Sequence, residues 1–463
     1  MSFLDKSATV ARPGYSKWLI PPAALCVHLS IGQVYAFSVF KTSLVERFDS
    51  SQTAVAWIFS IAIVMLGLSA AILGTWVERV GPRKAMATAA ACWGTGFLVG
   101  AAGISIGSLP LLYLGYGVIG GIGLGIGYIS PVSTLIKWFP DRPGLATGMA
   151  IMGFGGGALI ASPLSNKLLG IFDSDFDPTG KGTASSGALA GTFLTLGIAY
   201  LVFMLIGAAL VRVPPGYGDD DDAAHVPGSN GALVRAKQAI RTPQFALLWV
   251  VLFCNVTAGI GILEQAAPMI QDFFRSGQDS SVTAAEAAGF VGILSLANMA
   301  GRFVWSSLSD VIGRKSIYIV YLGVGLILYL LLATVGSSST AMLVLLATVI
   351  ISFYGGGFAT VPAYLKDLFG TLEVGAIHGR LLTAWALAGV VGPLIVNGFL
   401  DAAGEPGALV AADYRPALLT MVGVLAVGFV ANLLIKPVAE SHFDDEAVAA
   451  ASDREHASAG GAR

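Results

Sequence analysis

The sequence predicts an all-α integral membrane protein of twelve transmembrane helices, arranged as two pseudo-symmetric six-helix halves. Three observations carry this expectation. Of 463 residues, 55% are hydrophobic and 12% charged, with a mean hydropathy of +0.76, which leaves too little polar surface to clothe one soluble globule of this size. The apolar residues fall in long, nearly uncharged runs of the roughly 20 residues that a helix needs to cross a bilayer. Landmarks of the first half also recur in the second at a nearly constant offset.

Taken in order, the spans are expected at 18–40, 54–77, 85–107, 109–137, 143–170, 187–211, 244–270, 285–308, 316–336, 340–366, 375–400 and 414–435. Residues 1–17 are polar and lead directly into a full-length span, so no cleavable leader is expected. The two halves then cover 18–212 and 244–436. Between them, 213–243 holds PPGYG, the run Asp219–Asp222 and then Arg235, Lys237 and Arg241, the composition of a solvated linker. Residues 437–463 are acidic and Ala/Gly-rich, and disorder is expected there. With both termini inside, the inner segments carry about three times as many Lys and Arg as the outer ones, the bias that holds a loop in the cytoplasm. The expected location is the plasma (inner) membrane, multi-pass.

Cys26, Cys92 and Cys254 are odd in number and lie inside apolar runs, so they read as buried thiols rather than a disulfide framework. The net charge of −2 gives no indication of nucleic acid. Gly115, Gly117 and Gly120 spell GxGxxG, but within a long apolar run and without the strand that a dinucleotide site requires. No Walker sequence, metal-ligand spacing or nucleophile motif is evident, so neither an enzyme nor a cofactor nor nucleotide binding is expected. Glycines in GFGGG and YGGG instead suit helices that approach closely and slide.

The repeat is legible in the loops. GTWVERVGPRK (Gly74–Lys84) and SSLSDVIGRK (Ser306–Lys315) each join an acid, a glycine and adjacent bases after an apolar span, and Gly81 and Gly313 are 232 residues apart. Pro131 and Pro362 differ by 231, Pro163 and Pro393 by 230. Two homologous halves around a central site is a common plan of secondary transporters. A carboxylate at a helix end can hold basic side chains in one state and release them in another, which makes Gly74, Glu78, Arg79, Gly81, Arg83 and Lys84, with Asp310, Gly313, Arg314 and Lys315, candidate gating residues.

Gly74, Glu78, Arg79, Gly81, Arg83 and Lys84 resemble the loop motif of the major facilitator superfamily, with Glu in place of Asp and Pro82 in place of an ordinary residue. Within it, Gly32–Phe40, Gly125–Gly148 and Ala297–Lys315 resemble the oxalate:formate antiporter family and its monocarboxylate-transporter relatives, over about residues 18–436. The resemblance implies that Arg302 matches the span-eight arginine to which that family assigns the substrate carboxylate. It also implies a second cation, a lysine in span eleven of the oxalate exchanger, where this chain reads LLTAWALAG and places Trp385. One charge pair at 4 Å is worth about 4 kcal/mol at an effective dielectric near 20, so its loss favours a monocarboxylate such as lactate, pyruvate or formate.

Arg302 is also the residue singled out by physics. A guanidinium near the centre of a bilayer costs about 2.5–3.5 kcal/mol on insertion scales, which points to a polar cavity and an anion. The repeat offset carries it to apolar Ala70–Ala71, so the charge belongs to one half. A structural pairing with Glu264 is the alternative. Asn298 is one turn earlier on the same face. His28, Gly32 and Tyr35 share a stripe of span one, while Gln33 sits to its side. Tyr128 and Tyr354 lie well inside their spans and are candidate cavity residues, with Trp385 as a candidate apolar wall. His28 and Glu264 are candidate proton carriers. The expected function is alternating-access transport of a small organic anion, with proton symport or anion exchange. The alternatives are an oxalate/formate-type dicarboxylate exchanger, a proton-driven exporter of drugs or metabolites, and a non-transporting carboxylate sensor.

Overall fold

The computed structural model describes residues 3–50, 52–176, 184–215, 233–276, 279–280, 282, 284–404 and 409–444. The aspartate run of the linker and the tail beyond 444 lie outside the described residues. Among the described residues, eleven helical segments are long and apolar enough to cross a membrane, and Ala284–Ile312, 29 residues long, is the twelfth long helix. We number them α1 (Lys17–Phe37), α2 (Gln52–Val80), α3 (Pro82–Ile106), α4 (Leu109–Trp138), α5 (Pro143–Phe172), α6 (Ser186–Leu210), α7 (Pro243–Phe273), α8 (Ala284–Ile312), α9 (Arg314–Ser338), α10 (Thr340–Phe369), α11 (Val374–Leu400) and α12 (Ala411–Leu434).

Local chemistry sets the ends of these helices. Proline opens α3, α5 and α7, where its missing N–H has no intrahelical partner to lose. Ser185, Thr242 and Ser339 cap α6, α7 and α10 by accepting from the N–H groups of Ala188, Phe245 and Met342. The two motifs expected in loops are carried mostly by helices. Glu78 is on the last turn of α2 and Asp310 on the last turn of α8, and each helix joins the next through one glycine. Gly81 and Gly313 adopt φ of +82° and +87°, a region closed to side-chain-bearing residues without strain. Matching backbone at both places is the repeat expressed in three dimensions.

The halves meet through α2 against α11 and α5 against α8, two pairings exchanged by the pseudo-symmetry, with α10 also against α5. GxGxxG lies within α4, over a π-helical stretch Tyr113–Gly120, and serves helix packing. A Cβ at Gly115 would stand 2.7 Å from the Gly100 nitrogen, and one at Gly120 would stand 3.2 Å from the Trp93 ring. α1 is regular only to Ile31; Gly32–Phe40 winds as a 3-10 helix, in which i and i+3 eclipse, so Tyr35 stands above Gly32. The N-terminal segment is tied to the end of α6, with Ala11 donating to the Val213 carbonyl at 2.9 Å and Val213 to that of Thr9 at 3.0 Å. Residues 233–242, placed by the sequence in the linker, pack on the second half: Val234 donates to the Phe369 carbonyl and Ala236 to Glu373.

A candidate anion site around Arg302

Small residues bring Arg302 to the seam between the halves. A Cβ at Gly301 would stand 2.2 Å from the Ser352 carbonyl, so α8 lies directly on α10. Gly148 and Gly155 of α5 meet Arg302, Phe303 and Met299 in the same way. Arg302 is fully buried. Its Nε donates to Asn298 Oδ1 at 3.0 Å, one helical turn away, and Nη1 is directed at the Ile151 carbonyl at 3.5 Å. Nη2 has no partner. Among the described residues no carboxylate forms an ion pair with it; the Glu264 side chain lies outside them. Instead the guanidinium carbon stands 5.5 Å from the Phe154 ring and 5.3 Å from the Phe358 ring. Such cation–π contacts contribute roughly 0.5–2 kcal/mol each, less than a buried charge needs.

An aromatic cage completes the surroundings. Trp385 packs on Phe358, Phe154 and Tyr128 at centroid distances of 4.7, 5.6 and 5.6 Å. Tyr35 meets Phe154 edge-on at 5.1 Å, and Tyr354 meets Phe358 at 5.1 Å. The hydroxyls of Tyr35 and Tyr128 face Arg302, and that of Tyr35 also faces Tyr354 across the two halves. None of the three meets hydrogen-bond geometry. Tyr35 is the member of this set that keeps partial exposure. Thus Arg302 Nη2, Trp385 Nε1 and the Tyr35, Tyr128 and Tyr354 hydroxyls are buried polar groups without partners. Each orphan costs about 1–3 kcal/mol, and all can donate. Donors gathered round one cation are complementary to an anion.

The six helices α1, α4, α5, α8, α10 and α11 supply this cage. Sequence reading named Arg302, Asn298, Tyr35, Tyr128, Tyr354 and Trp385, and all six come together. It missed Phe154 and Phe358. The repeat could have found Phe154, since Trp385 lies 231 residues after it, close to the offsets of the proline pairs. The guanidinium of Arg380 on α11 is turned away to the Ala376 carbonyl and Thr75 Oγ1. His28 borders the cage: its Nε2 lies 3.3 Å from the Tyr128 carbonyl and its ring packs edge-on against that tyrosine at 5.5 Å. Gln33 is turned aside, accepting from the Tyr116 hydroxyl at 3.0 Å.

On the side where the sequence places the cytoplasm, the two motif acids cross the seam reciprocally. Glu78 Oε1 accepts from the Gly375 N–H at 3.1 Å, at the start of α11. Asp310 accepts from the Gly144 and Leu145 N–H groups at 2.8 Å each, at the start of α5. A carboxylate at a helix N-terminus is held by unpaired N–H groups and the helix dipole. The bases behave less symmetrically. Arg314 pairs with Asp310 at 2.5 Å and Asp367 at 3.0 Å, whereas Glu78 is held by Lys137 of α4 at 2.7 Å and by Ser133. Arg83 donates instead to the Phe3 and Ala8 carbonyls, Lys315 to the Leu433 and Ile435 carbonyls, and Arg79 and Lys84 are exposed. Gly74 lets α2 approach Ala376. A cavity of about 260 Å³ lies beside Glu78, lined among others by Arg79, Ser130, Lys137, Thr371 and Glu373.

Comparison with known proteins agrees with this architecture. The family model of the Major Facilitator Superfamily matches residues 23–393 and 277–457. The chain is 26% identical to the uncharacterized MFS-type transporter YhjX of Escherichia coli (strain K12), over 81% of this chain and 86% of the relative. It is 25% identical to the oxalate:formate antiporter of Oxalobacter formigenes, over 80% of this chain and 81% of that one. Identity to apicoplast pyruvate carrier 1 of Toxoplasma gondii is 26%, over 75% and 68%. The crystal structure of FucP, a transporter of the same superfamily in the outward conformation, superposes with a TM-score of 0.65 at 16% identity, covering 91% of this chain and 100% of that one. Twelve helices in two related halves, a match to the family model over most of the length and relatives that are transporters lead to one conclusion: the chain belongs to the Major Facilitator Superfamily.

Proposed function

We propose that this chain carries a small monocarboxylate of the lactate, pyruvate or formate type across the membrane by alternating access, with proton symport or anion exchange as the driving reaction. The observation that carries the reading is Arg302, a fully buried cation without an ion-pair partner among the described residues, ringed by unpartnered buried donors. A carboxylate there would accept from Arg302 Nη2 and the tyrosine hydroxyls, while Phe154, Phe358 and Trp385 would cover its short alkyl end. Residues 18–212 and 244–436 would be the two moving halves, with 1–17, 213–243 and 437–463 on the cytoplasmic face of the plasma (inner) membrane. Release of the Glu78 and Asp310 contacts would open the cytoplasmic side.

A second reading, exchange of a dicarboxylate, has in its favour the similarity to an oxalate:formate antiporter. Against it stands Trp385 at the place of a second cation. Counterflow in liposomes, with labelled lactate, pyruvate, formate and oxalate offered in turn, tests the choice. Exchange of the monocarboxylates with weak competition by oxalate is expected; a clear preference for oxalate would overturn the assignment.

A further inference from the structure

His378 was not singled out by the sequence, and its surroundings are unusual. It lies on the second turn of α11, is 1% exposed, and neither ring nitrogen has a partner. Its ring tilts against Tyr128 at 5.8 Å, on a tyrosine that also packs against His28 at 5.5 Å. His28 Nδ1 is unpartnered too. Two buried imidazoles with three orphan nitrogens therefore contact one cage residue. Burying a polar ring without partners is unfavourable, and a native example calls for a function.

On the helices packed against Val374–Leu381 the acids and bases named next are otherwise engaged, while the Tyr128 and Tyr354 hydroxyls have no partner. From α2, Glu78 is bonded to Lys137, Ser133 and Gly375. From α10, Lys366 donates to the Pro140 carbonyl and stands 4.0 Å from Asp367, while the Tyr354 ring packs on Phe358. From α4 come Tyr128 and the same Lys137, and from α1, His28. On its own helix, Arg380 is turned to Thr75, and Glu373 just before it accepts from Ala236. His28 and His378 meet the same Tyr128 ring, and Arg302 is the buried cation of the cage that this tyrosine lines.

We propose that His378 and His28 form a seat for one proton between the anion cage and the Glu78 contact, and that a carboxylate in the cage and a proton in this seat are carried together. The inference rests on the monocarboxylate reading of the cage. With the cage empty, the Arg302 charge repels an imidazolium at His28, and the two histidines repel each other's charge. A bound carboxylate cancels the Arg302 field and favours one imidazolium, the proton coming from water and bonding to an imidazole lone pair. By linkage the proton favours the carboxylate equally. The loaded pair adds no net charge. Gly375, which donates to Glu78, is one turn before His378 on α11, so releasing that bond bares His378 to the cytoplasmic side, where the proton leaves.

The test uses the full chain in proteoliposomes with labelled lactate, pyruvate and formate, comparing counterflow at equal pH with accumulation driven by an inward pH gradient. His378→Gln is expected to keep counterflow, which also reports that it is folded, and to lose gradient-driven accumulation by roughly tenfold or more. Wild-type accumulation that ignores the pH gradient overturns the proposal, as does a His378→Gln protein that accumulates like wild type. If His378→Gln loses counterflow as well, His28→Gln decides: selective loss of gradient-driven accumulation supports the seat, and any other result overturns it. Absence of counterflow from the wild type with every carboxylate is a different failure, because it removes the monocarboxylate reading itself.

Discussion

Glu78 at the end of α2 accepts a hydrogen bond from the backbone of Gly375 at the start of α11, and the repeat-related Asp310 does the same to Gly144 at the start of α5. Gly375 follows Gly144 by 231 residues and Asp310 follows Glu78 by 232. The two bonds thus cross the same seam in opposite directions, and each can be tested separately.

Glu78→Gln and Asp310→Asn keep the shape of each contact and remove its charge. Hydrogen bonds to charged groups contribute about 1.5–3 kcal/mol, so each variant shifts the population toward the form open on the Glu78 side by roughly tenfold or more. The readout is alkylation of a cysteine placed at Thr371, a cavity-lining residue that is 2% exposed. Unchanged labelling in both variants would rule out a latch.

Arg302→Gln is expected to abolish carboxylate uptake at normal membrane levels, and Arg302→Lys to restore little of it. The guanidinium is flat, lies between the Phe154 and Phe358 rings and reaches Asn298 through Nε. An ammonium cannot reproduce that fork or stacking. Binding measured by tryptophan fluorescence or uptake competition should weaken by roughly 10- to 100-fold, in line with the loss of one charged hydrogen-bonding partner.

Trp385→Lys places a second cation against the cage wall. Oxalate should then compete at least about tenfold better relative to lactate, well inside the roughly 4 kcal/mol that a close charge pair provides at intermediate dielectric. If the ratio does not move, specificity is set elsewhere than at Trp385.

Glycines separate stability from conformational bias. A Cβ at Gly125 would stand 2.2 Å from Ser69 Oγ and 2.3 Å from the Leu66 carbonyl, a contact inside the first half. Gly125→Ala should therefore lower thermal stability in detergent, by about 1–3 kcal/mol. At Gly379 the Cβ would stand 2.1 Å from the Ala70 carbonyl, across the seam. Gly379→Ala should push the halves apart on the Glu78 side and raise Thr371 cysteine labelling while each half stays folded.

The fold was legible because membrane helices advertise themselves: a backbone that must satisfy its own hydrogen bonds in lipid demands long apolar runs. Arg302 stood out for the same reason, as an expensive exception within such a run. Phe358 did not, since an aromatic ring among apolar residues gives no contrast until the facing helix is known, and Phe154 was marked only by its repeat offset from Trp385. His378 was hidden by its place near a helix end, where a histidine is ordinarily solvated. Nothing along the chain sets Lys137 apart from other basic residues at span ends, yet its ammonium is committed to Glu78 on another helix.

The sequence by itself determined the membrane class, the twelve helices, the two-fold repeat and the presence of one costly cation, all of them properties of spacing and composition along the chain. Tertiary structure decided what that cation meets. The distance between Arg302 and Phe358, the orphaned donors of the cage and the approach of His28 and His378 to Tyr128 arise where α1, α4, α5, α8, α10 and α11 converge. Such convergence follows from which small residues allow which backbones to touch, and no single stretch of chain contains that information.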